Sequence, residues 1–227
     1  MSHRSKRFQE AQKLIDSAKR YSVSEAVELV KKTSTVKFDA GIEVHMRLGI
    51  DPKKADQVVR GSVSLPHGTG KAKRVAVFAE GKDAEAAKKA GAAVVGAEDL
   101  IKEIKTKSVI DFDIAVAHPS MMKHLGQIAK ILGPKGLMPN PKNETVAADV
   151  ARAVKELQGG KVAFRNDETS NLHQLIGRAS FEVKQLEENL QAFLDAVNRV
   201  KPSGAKGIFI LSATLTSSMG PPIPLAV

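Results

Sequence analysis

The run Asp111-Phe-Asp-Ile-Ala-Val-Ala-His118-Pro119 predicts a strand that ends at a histidine. In an open α/β sheet, ligands and catalytic groups collect at the carboxyl ends of strands. His118 there could act as a general base on a phosphorylated substrate. It would need a nucleophile, and no G-x-S-x-G elbow occurs. His124 adds no second ligand at a metal-binding spacing, and there is no cysteine. Asp111 and Asp113 share one strand face, as exposed pairs at strand entrances commonly do. The phosphate-loop pattern fails in "LPHGTGKA", where Leu65 replaces the first glycine and Ala72 the hydroxyl. The dinucleotide pattern G-x-G-x-x-G is absent, and "HGTGKAK" precedes its strand when it should follow one. An α/β enzyme acting on a phosphorylated substrate therefore stands as the alternative, and no cofactor or metal is expected.

Other residues suit a polyanion. The formal charge is +10, which favours nucleic acid over a small acidic substrate. The charge is uneven: Arg47, Lys53, Lys54, Arg60, Lys71, Lys73, Arg74 and Lys82 face only Asp51, Asp56 and Glu80 within their span. There is no Trp and one Tyr, so base stacking on an aromatic platform is not expected. Backbone and shape would be read instead. Ser212, Thr214, Thr216 and Ser218 alternate on one strand face, where short donors can reach sugar hydroxyls and phosphates. Gly220 would admit a backbone close by. Phe38 follows Lys37 just before a strand and has no obvious core to join.

The segment "ILGPKGLMPNPK" (131–142) is a further candidate surface. Pro134, Pro139 and Pro141 pre-shape it by fixing φ. Gly133 and Gly136 permit turns, and Lys135 and Lys142 offer charge. Leu137 is expected to anchor the loop on its own domain, and Met138 to meet a partner.

These residues need elements to hold them. The first 20 residues predict a basic helix, and Ser22-Val-Ser-Glu25 a capping box opening the next. Ile42, Val44, Met46 and Leu48 alternate with Glu43, His45 and Arg47, the period of a half-buried strand. "VVRGSVSLP" predicts a second strand. After the glycine-rich 67–71 the pattern becomes strand–helix, as in a mostly parallel sheet with helices on both faces. There "RVAVFAEG", "AAVVG" and "FDIAVAHP" are strands. Asp83–Ala90 and 97–105 are helices, and Ser120 caps a helix carrying Met121, Leu125, Ile128 and Leu132. Val146, Val150, Val154 and Leu157 mark one more helix. Past "QGGK", strands return at "KVAFRN" and "LHQLIGRAS", Ser180 opens a helix through Val197, and "IFILSATLT" is the final strand.

The two glycine joints predict a discontinuous α+β design with an inserted α/β domain. Residues 1–67 and 160–227 would form one domain, and 68–159 a Rossmann-like domain between glycine hinges. No apolar run approaches the ~20 residues of a membrane span, and the start lacks the apolar core of a secretory signal.

"VVRGSVSLPHGTGK", "ILGPKGLMPNPK", "FRND" and "TSSMGPPIPL" together resemble the bacterial L-one family of large-subunit ribosomal proteins. The likeness runs over essentially the whole chain, with the motifs in order. It implies the inserted two-domain design, and an α+β domain bound to large-subunit rRNA in the stalk beside the tRNA exit site. It further implies partners in deacylated tRNA and the chain's own operon mRNA, and a cytoplasmic place on the large ribosomal subunit. The RNA-facing positions it implies are Lys37, Phe38, Glu43, Arg47, Arg165, Asp167, Ser212, Thr216, Ser218, Met219 and Gly220. Gly133, Lys135, Gly136, Met138 and Lys142 are assigned to an outer-domain surface for rRNA or tRNA. Ser218 departs from the family's expected threonine but keeps the hydroxyl.

Overall fold

Local chemistry sets most of the element boundaries. Ser22 accepts from the Glu25 amide while Glu25 reaches back to the Ser22 amide, the reciprocal cap its spacing predicts. The computed structural model describes residues 4–54, 56–71, 73–107, 110–205 and 207–226, without the side chains of Lys107 and Lys142. In chain order the elements are α1 (Lys6–Lys13), α2 (Val23–Thr33), β1 (Gly41–Leu48), β2 (Arg60–Ser64), β3 (Val75–Phe78), α3 (Gly81–Lys89), β4 (Val94–Gly96), α4 (Glu98–Lys107) and β5 (Ile114–Ala117). Then follow α5 (Met122–Leu125), α6 (Ala129–Leu132), α7 (Val150–Gln158), β6 (Lys161–Arg165), β7 (Asn171–Arg178), α8 (Val183–Arg199), β8 (Ile210–Ser217) and β9 (Ile223–Pro224). The chain forms two compact units, Met1–Gly70 with Val162–Val227, and Lys71–Lys161.

In the first unit an antiparallel sheet has the order β7-β1-β8-β9, and β2 pairs with β6. Ile42, Val44, Met46 and Leu48 of β1 are buried with α2 and α8 in one apolar cluster. Phe164 and Phe193 meet edge to face there, 5.4 Å between centroids, a geometry worth about 0.5–1.5 kcal/mol beyond burial alone. The β1–β7 register shifts between Ile42 and Glu43, so Ile176 is an extra residue opposite them. Its carbonyl accepts from the Asn189 side-chain amide at 2.8 Å. The same amide donates to the Gly68 carbonyl, and the Asn189 side-chain oxygen accepts from the His67 amide at 3.1 Å. A fully buried asparagine in the middle of α8 thus secures a bulge and a loop at once.

In the second unit the parallel strands run β4-β3-β5. Val75, Val77 and Ala79 pack with residues of α3 and α7, while Ala76 and Phe78 pack with α4 and the 121–132 segment. Helices thus cover both faces, as a buried parallel sheet requires.

Several expected elements take another form. α1 stops at Lys13, not near residue 20. Asp16 takes the Ala18 amide in a local turn, and the Tyr21 hydroxyl takes the Asp16 amide, so the helix has no backbone left to continue. The helix predicted after Ser120 is a chain of short α and 3-10 pieces, capped by His118 and interrupted at Gly126. Its four apolar residues are buried nonetheless. Val146 bridges Ala117 as an extended residue, and α7 starts only after Asp149, whose carboxylate caps Arg152. Glu182, not Ser180, caps α8, because Asp39 engages both the Ser180 amide and hydroxyl at 3.0 Å. The short β9 was not expected; Pro224 fits there because an edge strand can spare an amide.

Asn189→Ala leaves the His67 amide and the Gly68 and Ile176 carbonyls unpaired. We expect it to cost about 2–3 kcal/mol, the scale of buried groups losing partners. Urea unfolding measures this, and a loss under about 0.5 kcal/mol would show the network to be dispensable.

Candidate nucleic-acid interface

The pleat of β1 turns Glu43, His45 and Arg47 away from the core. Register then decides their neighbours. Glu43 lies opposite Thr216, His45 opposite Thr214, and Arg47 opposite Ser212 on β8. On β7, His45 faces His173 and Arg47 faces Asn171. One sheet face therefore gathers the acid, the guanidinium and the hydroxyl row.

The two histidines were not foreseen as a pair. His45 Nδ1 lies 2.8 Å from His173 Nδ1, and His45 Nε2 lies 3.1 Å from Thr216 Oγ1. His173 Nε2 is 3.7 Å from Asp167, and Glu43 is 3.9 Å from His45. A polar row thus crosses β7, β1 and β8. One Nδ1 must carry a proton and the other must not. Burial, then the His173 charge, lowers the His45 pKa below its ordinary 6.5, while Glu43 opposes the shift. Both histidines are visible in the sequence, but only the strand register pairs them.

Asp167 shapes the turn before β7. It accepts from the Asn171 and Thr169 amides and the Thr169 hydroxyl. Those donors, led by the Asn171 amide, pull its pKa down to about 2. Arg165 is exposed at the end of β6.

At the rim, Phe38 and Met219 are 56% and 71% exposed. Water-facing side chains of that size have no core to join, and a partner surface would gain from covering them. Lys37 beside Phe38 is exposed, and Asp39 is held by Ser180. The Ser218 amide donates to the Gly41 carbonyl at 2.9 Å, joining the end of β8 to the start of β1. Met219 has φ 62°, a left-handed turn costly for a side chain. The Gly220 amide closes that turn on the Ser217 carbonyl at 2.8 Å. A Cβ at Gly220 would sit 2.2 Å from Ser217 Oγ, so any larger residue there would force the Ser217 side chain to turn. The guanidinium of Arg7, another residue the sequence did not single out, reaches the Met219 carbonyl at 3.3 Å and Thr35 Oγ1 at 3.5 Å.

The second unit holds the proline-rich loop. Lys135 is exposed, and Gly136 has φ 70° with open space around it. Gly133 takes ordinary right-handed geometry, so it is not held there by a left-handed turn, but a Cβ would meet the Ala129 carbonyl at 2.7 Å. Leu137 and Met138 both rest against the unit's own core, each partly exposed. The Asn140 amide donates to Thr145 Oγ1 at 2.8 Å, closing the loop. The Lys142 side chain lies outside the described residues.

His118 Nδ1 lies 2.7 Å from the Ser120 hydroxyl, within a local cap. Asp111 and Asp113 are both ion-paired to Arg74. No group of three His, Asp or Glu among the described residues could hold a metal ion, and no helix there is long and apolar enough to cross a membrane.

Two titrations follow. The Asp167 pKa is depressed, so its contribution to stability is complete above its ordinary 3.8 and is lost as pH falls through about 2. Carbon NMR should place its midpoint near 2, and a midpoint near 4 would mean the turn bonds are absent. For His45, the unfolded chain takes a proton first, so this residue's contribution declines as pH drops below 6.5. Its imidazole should titrate below that value, and a higher midpoint would mean that the Glu43 carboxylate outweighs burial and the His173 charge.

Comparison with known proteins places this surface in context. A model of the "Ribosomal protein L1p/L10e family" matches residues 30–221. The chain is 53% identical over 225 residues to "Large ribosomal subunit protein uL1" of Corynebacterium diphtheriae, covering 99% of this chain and 95% of that one. It is 55% identical to the protein of the same name from Thermobifida fusca, over 98% and 94% of the two chains. Against the Thermosipho melanesiensis protein the identity is 52%, over 98% and 96%. These relatives are ribosomal proteins, not enzymes, which removes the alternative built on His118. The chain belongs to the Ribosomal protein L1p/L10e family.

Proposed function

We propose that the chain is a structural constituent of the large ribosomal subunit, in the cytoplasm, that binds large-subunit rRNA through the open sheet face of its first unit. The observation that carries this is the single face combining Glu43, Arg47, Ser212 and Thr216, with exposed Phe38 and Met219 among the residues beside it in sequence. Such a surface offers little for an aromatic stack and much for sugar hydroxyls and phosphates. Arg165, Asp167, Lys37, Ser218 and Gly220 complete the proposed contact set. Charge supplies attraction, and the fixed turns at Asp167 and Met219 supply shape.

Family membership also motivates four finer proposals. The chain helps release deacylated tRNA from the exit site as part of the mobile stalk. It represses its own operon mRNA, whose site would imitate the rRNA one. The two crossings between units, near Gly68 and Gly70 and at Gly160, all with positive φ, are the joints of a discontinuous two-domain design, with a Rossmann-like α/β domain inserted. Gly133, Lys135, Gly136, Met138 and Lys142 belong to that domain's rRNA or tRNA surface.

Two measurements test the interface. Six phosphate contacts would give a slope of log affinity against log salt of roughly −4 to −5, and a flat titration against a structured rRNA transcript would refute it. Met219→Asp puts a negative charge on an exposed residue, so folding should survive while affinity falls about tenfold or more, a plausible loss for one interface residue. Unchanged affinity in a mobility assay would take Met219 out of the site.

A further inference from the structure

Arg7 projects from α1 to the two segments that carry the exposed apolar residues of the interface. One terminal nitrogen reaches the Met219 carbonyl at 3.3 Å, and the other reaches Thr35 Oγ1 at 3.5 Å. Thr35 leads into Lys37 and Phe38. Both acceptors are neutral. Among the described residues no carboxylate lies within ion-pair distance of Arg7, in contrast to Arg74 and Arg152. α1 has no acid in its first turn and ends on Lys13, and the Arg4 guanidinium lies 4.6 Å from the Phe8 ring centroid. A guanidinium carries five N–H donors, and two neutral oxygens leave several of them free, with Glu10 one turn on in α1 as the nearest acid in sequence but not ion-paired to it.

We propose that Arg7 is a phosphate-binding and positioning residue of the RNA interface. Its bonds to Met219 and Thr35 hold the left-handed turn beside the 35–38 segment. Its remaining N–H groups take a phosphate of the bound RNA backbone, the fork geometry that guanidinium offers and ammonium does not. α1 thereby becomes a wall of the site, with exposed Arg4 and Lys6 adding charge. This rests on the rRNA-binding role proposed above.

The test compares the full chain with Arg7→Ala and Arg7→Lys. Each is titrated with a structured transcript of large-subunit rRNA at several salt concentrations. Arg7→Ala should lose about tenfold or more in affinity, and its salt slope should shrink by about 0.7–0.9, the share of one phosphate. Arg7→Lys should keep the slope and lose only part of the affinity, because it keeps the charge without the fork. Amide exchange at 218–220 should quicken in both variants. Full affinity in Arg7→Ala would overturn the proposal while wild-type binding left the rRNA role intact. Lost affinity with an undiminished slope would overturn the phosphate contact. A wild-type chain that ignored the transcript would overturn both.

Discussion

The register of β1 against its two neighbours is the constraint from which the candidate interface follows. Side chains alternate with period two, so sliding β1 by one residue would exchange its faces. Ile42, Val44, Met46 and Leu48 would turn to water, and Glu43, His45 and Arg47 would enter the core. The cost of exposing four large apolar side chains, each worth about 1.5–3 kcal/mol when buried, is comparable to a domain's whole reserve of about 5–15 kcal/mol. The apolar cluster beneath the sheet therefore holds the polar face above it in place. Chemistry on the outer face is positioned by packing on the inner one.

The rim is governed differently. Phe38 and Met219 lie in loops, where no pleat dictates direction. Their segments are fixed by hydrogen bonds: Asp39 to Ser180 on one side, Ser218 to Gly41 and Gly220 to Ser217 on the other. A surface pre-shaped in this way loses less entropy on binding than a flexible one. The left-handed Met219 is consistent with that economy, since backbone strain persists only where surrounding contacts over-determine it.

Much of this was legible in the chain itself. Alternation in β1 and β8 gave both strands and the outward hydroxyls, because a half-buried strand writes its faces directly into sequence. The cap at Ser22 was legible for the same reason: its partners lie within one turn. What escaped depended on distant partners. His45 and His173 meet only through pairing of segments 128 residues apart, and Arg7 finds Met219 across a separation of 212. Ser180 looked like a helix cap until Asp39 competed for it. The segment 120–132 kept a helical apolar period yet broke into short turns, since burial of Met121, Leu125, Ile128 and Leu132 does not require an unbroken helix. Met138 looked free for a partner but rests partly on its own core.

The central claim is that the outward face of the β7-β1-β8 sheet, and not the helical side opposite, meets folded RNA. Ultraviolet crosslinking within isolated large subunits, with mapping of the attached peptides, addresses it most directly. The account predicts rRNA attached to peptides containing Phe38, His45, His173 or Met219. Crosslinks confined to the exposed surface of α8, around Gln191 and Asp195, would contradict it.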